Sequence, residues 1–157
     1  MKYFIKLIIA ILICQFADFI GSVFTTPSIR TWYAALNKPP LQPPNWIFGP
    51  VWLTLYLIMG ISLYLIWINK AKPKLKNPAI TVFALQMALN AIWSVIFFGA
   101  HLTLLAFIEI IALWGSILAT IILFNRISKA ASWLLVPYIL WVSFASYLNL
   151  AIWLVNR

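Results

Sequence analysis

Acidic residues are nearly missing from this chain: Asp18 and Glu109 are the only two among 157 residues. Cysteine and histidine occur once each, as Cys14 and His101. A lone cysteine excludes an intrachain disulfide, and Cys14 sits inside an apolar run, where it reads as a small buried hydrophobe. The sequence holds no Cys/His cluster, no glycine-rich phosphate loop and no Ser-His-acid set. Hydrolytic and metal-dependent enzymes are therefore disfavoured, and no metal site is expected. Charge of either sign is scarce, at 8% of residues, whereas soluble domains carry about a quarter. In its place the chain is 65% hydrophobic, with a mean hydropathy of +1.02 and nine tryptophans. So few polar groups cannot make a water-facing surface. The solvent around this protein must be lipid.

Five continuous apolar runs, at about 3–24, 47–68, 79–98, 102–124 and 132–153, each approach the ~20 residues that carry a helix across a ~30 Å hydrocarbon core. Barrel strands would be alternating segments of ~10 residues, which these are not. The expectation is an all-α membrane protein, a single five-helix bundle over 1–157. Lys2 and Lys6 at the start of the first run resemble a signal peptide, but no small-x-small cleavage site follows, so this run is read as a retained helix.

The net charge of +9 would suit nucleic acid if it were clustered on a soluble face. Its placement says otherwise. Lys2, Lys6, Lys70, Lys72, Lys74, Lys76, Arg126 and Lys129 fall on one side of a five-helix topology, and Arg30, Lys38 and Arg157 on the other. The positive-inside rule puts the N-terminus in the cytoplasm and the C-terminus outside. Anionic headgroups, not nucleic acid, are the partner expected for the Lys70–Lys76 run. Short termini and the lack of a transit segment point to a bacterial cytoplasmic membrane.

Residues 25–46 form the one long connection. Trp32, Tyr33, Leu36 and Trp46 give it apolar anchors, and Pro39, Pro40, Pro43 and Pro44 stiffen it. It reads as an ordered lid, with Thr31 capping a short helix over 32–37. Asn77-Pro78 suits a helix start, and Pro137 predicts a kink in the fifth run. On helical wheels, Gln86, Asn90, Trp93 and Phe97 share one face of the third run, opposite Ala84, Ala88, Ala91 and Val95. Trp52, Tyr56, Met59, Leu63 and Trp67 share a stripe on the second, and Tyr138, Trp141, Ala145, Asn149 and Ile152 on the fifth. Amides avoid lipid, so Gln86 and Asn90 should face inward. The alanines permit close approach, either to a helix of the same chain or to a second copy across Ala84 and Ala88. Three aromatic faces bearing amides and phenols describe either a packed core or a ligand cavity between helices.

Asp18 and Glu109 lie within spans, and apart from Lys6, near the N-terminal end of the first span, no Lys or Arg lies within a span to pair with them. Glu109 is expected to be protonated or bonded to amides and hydroxyls of neighbouring helices, as a polar clamp or a proton relay. His101, beside Gly99, is expected to be a solvated loop residue, the alternative being an axial ligand to haem iron.

These stretches resemble the translocator protein family, also called tryptophan-rich sensory proteins or peripheral-type benzodiazepine receptors. The matching residues are Trp32-Tyr33, Leu36 and Lys38-Pro39; Pro43-Pro44 and Phe48-Gly49-Pro50-Val51-Trp52; Gln86, Leu89-Asn90, Trp93-Ser94 and Phe97-Phe98-Gly99; and Pro137-Tyr138, Trp141, Phe144-Ala145 and Leu148-Asn149. The resemblance implies a five-helix bundle, commonly dimeric, with a pocket under the first loop that binds porphyrins and haem-pathway intermediates as ligands, not as an obligatory cofactor. Some members bind cholesterol or benzodiazepine-type ligands. By position, the resemblance implies pocket residues Trp52, Tyr56, Asn90, Trp93, Trp141 and Ala145, with Tyr33 and Pro43 from the loop. A porphyrin would stack on Trp52 and Trp141 and bond to Asn90 and Tyr56. The family's C-terminal cholesterol motif fails here, because Trp153 stands where tyrosine is needed. Asp18 is unusual against the family pattern, and nothing in the sequence accounts for it. A receptor or carrier is the leading expectation. The alternatives are light-driven porphyrin breakdown with Trp52 and Trp141 as electron donors, and a small proton-coupled exporter using Glu109.

Overall fold

The computed structural model describes residues 1–157, apart from the side chain of Lys2, so that charge lies outside the described residues. The chain forms α1 (Lys2–Arg30), α2 (Trp32–Ala35), a 3₁₀ turn (Asn45–Ile47), α3 (Phe48–Ile68), α4 (Pro73–Ser94), a π-turn (Val95–Gly99), α5 (Thr103–Asn125), α6 (Lys129–Leu134) and α7 (Val136–Asn156). Five of these rods are long and apolar enough to cross a membrane: Tyr3–Arg30, Asn45–Ile68, Pro73–Gly99, Thr103–Asn125 and Lys129–Asn156.

Three boundaries differ from the sequence expectation, each because a proline is absorbed differently. The first helix does not stop at residue 24 but runs through Pro27 to Arg30. One lost N–H is tolerated in a helix held by its neighbours. Thr31, expected to cap α2, instead turns its hydroxyl back to the Pro27 carbonyl at 2.9 Å, and α2 is only four residues long. The third span starts at Pro73, which takes a first-turn position where an N–H would be unpaired anyway. Pro78 is then interior, not the helix start. In the fifth span the expected kink at Pro137 is a break between α6 and α7. Pro137 lies in the first turn of α7, and the Leu135 N–H closes α6 onto the Ser132 carbonyl at 3.1 Å.

α1 packs between α3 and α4, α5 between α4 and α7, and α6 against α3 and α5. Close backbone approach makes the α1 contacts possible. A Cβ placed on Gly60 of α3 would lie 2.7 Å from the Ile11 Cα of α1, and one on Gly21 would meet Ser94 Oγ of α4 at 3.0 Å. Such small-residue crossings gain dispersion where lipid supplies no hydrophobic drive. Hydroxyls and an indole add interhelical bonds: Ser62 Oγ to the Ala131 carbonyl at 2.8 Å, Ser132 Oγ to the Ile121 carbonyl at 3.0 Å, and Trp114 Nε1 to Ser143 Oγ at 2.9 Å. The outer face of α1, with Phe4, Leu12, Phe16, Phe19 and Val23, is exposed apolar surface suited to lipid.

Within the basic loop, Lys76 caps the C-terminus of α3, its Nζ donating to the carbonyls of Trp67 (3.0 Å) and Asn69 (2.7 Å). A cation is favoured there by the helix dipole. Lys70, Lys72 and Lys74 are exposed.

Candidate functional site

A cavity of about 180 Å³ lies between α1, α3, α4 and α7, under the segment that follows α1. Helix rise orders its wall. On α1 the lining runs from Asp18 to Ile29, eleven residues or roughly 16 Å along the axis. α1, α4 and α7 run towards the covering segment and α3 runs away from it. Asp18, Tyr56, Asn90 and Trp141 are therefore the lining residues farthest from the cover, and they form the floor. Tyr33, Phe97, Phe98 and Ile152 stand at the covered end.

The floor is a hydrogen-bonded set. Asn90 is buried; its Oδ1 accepts from Tyr56 Oη at 2.7 Å, and its Nδ2 donates to Tyr138 Oη at 2.7 Å. One amide thus ties three helices. Higher on the wall, Trp93 Nε1 donates to Asn149 Oδ1 at 3.1 Å, and Asn149 Nδ2 donates to the Thr103 carbonyl at 2.7 Å. Trp141 differs. Its Nε1 is buried without a partner among the described residues. An unpaired buried donor costs about 1–3 kcal/mol, and this one is covered by its neighbours although the Trp141 ring lines the cavity.

The walls are aromatic. Trp52 lies 5.9 Å from Tyr56 and 6.5 Å from Tyr138 between ring centroids, and Phe48 lies 6.0 Å from Trp141. Trp93 stacks on Phe97 at 5.1 Å. Phe97 and Phe98 line the cavity from the π-turn, whose wider winding bonds the Ala100 N–H to the Val95 carbonyl at 2.8 Å. Such turns inside helices recur at functional sites.

The cover is ordered and tied at three points. Tyr33 is buried, and its hydroxyl accepts from Gln42 Nε2 at 2.7 Å. Burial holds this phenol above the ordinary tyrosine pKa, only partly offset by the Gln42 bond, so it stays neutral at physiological pH. Trp32 stacks on His101 at 4.1 Å with the rings 11° apart. His101 holds φ at 60°, a left-handed conformation uncommon for a residue with a Cβ. Asn156, at the end of α7, forms a two-bond clamp with the backbone of Asn37: Asn37 N–H to Oδ1 and Nδ2 to the Asn37 carbonyl, each 2.9 Å.

Of the residues singled out from the sequence, Tyr33, Trp52, Tyr56, Asn90, Trp93, Trp141 and Ala145 all line this one cavity. Pro43 does not; it lies beside it, its carbonyl 3.4 Å from Gln42 Nε2. Gln86 is buried as expected, yet both its amide atoms lack partners. Glu109 is not bonded to amides or hydroxyls: both carboxyl oxygens are buried and unpartnered among the described residues, and α5 contributes nothing to the cavity lining. His101 is exposed, as expected for a loop residue, and the described residues hold no group of three or more His, Cys, Asp or Glu suited to a metal. Ala84 and Ala88 are exposed on the outer side of α4, so they do not pack within this chain. The α1 wall, with Asp18, Gly21, Ser22, Thr25 and Ile29, was missed from sequence. Its signal was present: those positions repeat at helical spacing and, Ile29 apart, carry small or polar side chains in an otherwise bulky run.

Residues 10–154 match the TspO/MBR family. The chain is 44% identical over 152 residues to the tryptophan-rich protein TspO of Archaeoglobus fulgidus, covering 97% of each chain. It is 38% identical over 142 residues to the translocator protein of Homo sapiens, covering 88% of this chain and 83% of that one. Against protein CrtK of Rhodobacter capsulatus the identity is 35% over 143 residues, covering 91% of this chain and 88% of the relative.

Proposed function

Since this chain belongs to the TspO/MBR family of multi-pass membrane proteins, we propose that it is a receptor or carrier that takes a flat, mostly apolar tetrapyrrole into the cavity under residues 31–44. The observation that carries this reading is the wall itself: indoles from α3, α4 and α7 enclose one space, and one of them, Trp141, keeps a buried N–H without a partner. Trp52 and Trp141 supply ring faces for stacking. Asn90 and Tyr56, whose polar atoms are already engaged, serve as a rigid floor, and Trp141 becomes the hydrogen-bond donor when a bound ligand turns its covered N–H into the cavity. The carboxylates of such a ligand belong at the covered end, where Lys38 Nζ sits 5.2 Å from the centre of the Tyr33 ring. We further place the N-terminus in the cytoplasm of a bacterial cell, and a second copy of the chain against the outer face of α4 at Ala84 and Ala88.

Protoporphyrin titrated into the protein in nanodiscs is expected to quench tryptophan fluorescence saturably. Trp141→Phe keeps the ring and removes the donor, so affinity should fall about tenfold, the worth of one desolvated hydrogen bond. An unchanged titration would remove Trp141 from the site.

The cavity volume of about 180 Å³ is smaller than the ~300–1,000 Å³ of sites for drug-sized ligands. Tetrapyrrole entry therefore requires the cover to yield. The Asn37–Asn156 clamp is its exposed fastening, so Asn156→Ala should speed both association and release several-fold while shifting the equilibrium constant less. Stopped-flow quenching measures both rates, and unchanged rates would show that this clamp does not gate entry.

A further inference from the structure

The cavity floor carries a group that the tetrapyrrole reading does not use. Asp18 is the one ionisable acid in the wall, and no Lys, Arg or His lines the cavity among the described residues. It shares the end of the cavity farthest from the cover with Tyr56 and Trp141, and Trp52 lies one helical turn nearer the cover than Tyr56. The hydroxyl of Tyr56 is committed to Asn90, so what this residue adds to the wall is its ring. A half-buried carboxylate sharing a mostly apolar space with electron-rich rings matches the requirements of an organic cation: the acid supplies the counter-charge, and the rings attract the cation through their quadrupoles. The wall is too apolar for a bare metal ion, which asks for six or more oxygen ligands if it is calcium and for several retained waters if it is magnesium. We propose that the Asp18 end of the cavity is a subsite for a protonated or quaternary amine, and that Asp18 makes the site discriminate by charge, favouring cationic aromatic amphiphiles and turning the carboxylates of an anionic ligand towards the cover.

This inference rests on the cavity being the ligand site, but not on the tetrapyrrole. Benzyltrimethylammonium and its neutral carbon isostere neopentylbenzene have the same shape and differ only in charge. Binding of each to the full chain, in nanodiscs of uncharged lipid, is read from tryptophan fluorescence after correction for partition into lipid. In the wild-type protein the cation is expected to bind at least tenfold more tightly than the isostere. In Asp18→Asn that preference should collapse while neopentylbenzene binding stays within twofold; in Asp18→Glu a preference should persist. Equal affinities of the two probes in the wild-type protein would overturn the proposal without recourse to any variant, and so would a preference that survives in Asp18→Asn. A protoporphyrin titration on the same samples separates the two readings. Charge preference without porphyrin binding removes the tetrapyrrole and keeps the subsite, whereas porphyrin binding without charge preference does the reverse.

Discussion

Gly60→Ala should lower the unfolding midpoint of the purified protein sharply, by a free-energy equivalent of about 2–3 kcal/mol, the upper part of the range for overpacking. The added methyl would sit 2.7 Å from the Ile11 Cα, and the obstacle is backbone, which cannot swing aside as a side chain can. α1 must move away from α3. Since α1 also supplies one wall of the cavity, ligand affinity should fall with stability. Gly115→Ala is the matched control. That glycine is also mid-helix, on α5, but its methyl would find nothing within 4 Å, so the substitution should leave stability unchanged or raise it by up to ~1 kcal/mol through helix propensity. Thermal unfolding in detergent distinguishes the two. Equal responses would mean that the α1–α3 crossing is not tight.

The second large effect is expected from Asn90→Ala. This one side chain accepts from Tyr56 and donates to Tyr138, so its loss leaves the Tyr56 hydroxyl without an acceptor and removes the donor to Tyr138 Oη. Hydrogen bonds between membrane helices average only ~0.6 kcal/mol, with a maximum near 1.7. With two bonds lost and a cavity opened, a cost of about 2 kcal/mol is expected. The sharper check is a double-mutant cycle. In Tyr56→Phe the donor is already gone, so adding Asn90→Ala should cost less than it does in the wild-type protein, with a coupling of about 0.5–1 kcal/mol. Strict additivity would show that the floor is not a network.

The lipid-facing chemistry and the inward faces were legible from composition and spacing. Asn90 and Trp93 lie on one wheel face, as do Trp52 and Tyr56 on another, and the structure brings these faces to one cavity. A side chain's direction on a helix follows from its number once the helix is granted. Pro137 interrupts its span as expected, whereas Pro27 and Pro78 lie inside helices, because a proline's effect depends on which carbonyl loses its partner and what replaces it. Gln86 and Asn90 looked alike on the wheel. Only Asn90 found partners, since Tyr56 and Tyr138 belong to other helices and their reach depends on packing.

What the sequence by itself determined is the solvent, the number of crossings and the face each helix turns inward, because burial in lipid and helical periodicity are properties of single segments. What only the tertiary structure decided is which helices wall the cavity, that α5 and its Glu109 stay out of it, and that Asp18 lies in its floor. Those outcomes depend on how closely neighbouring rods approach. The approach is set by contacts such as Gly60 against Ile11, between residues far apart in the chain whose pairing no local pattern records.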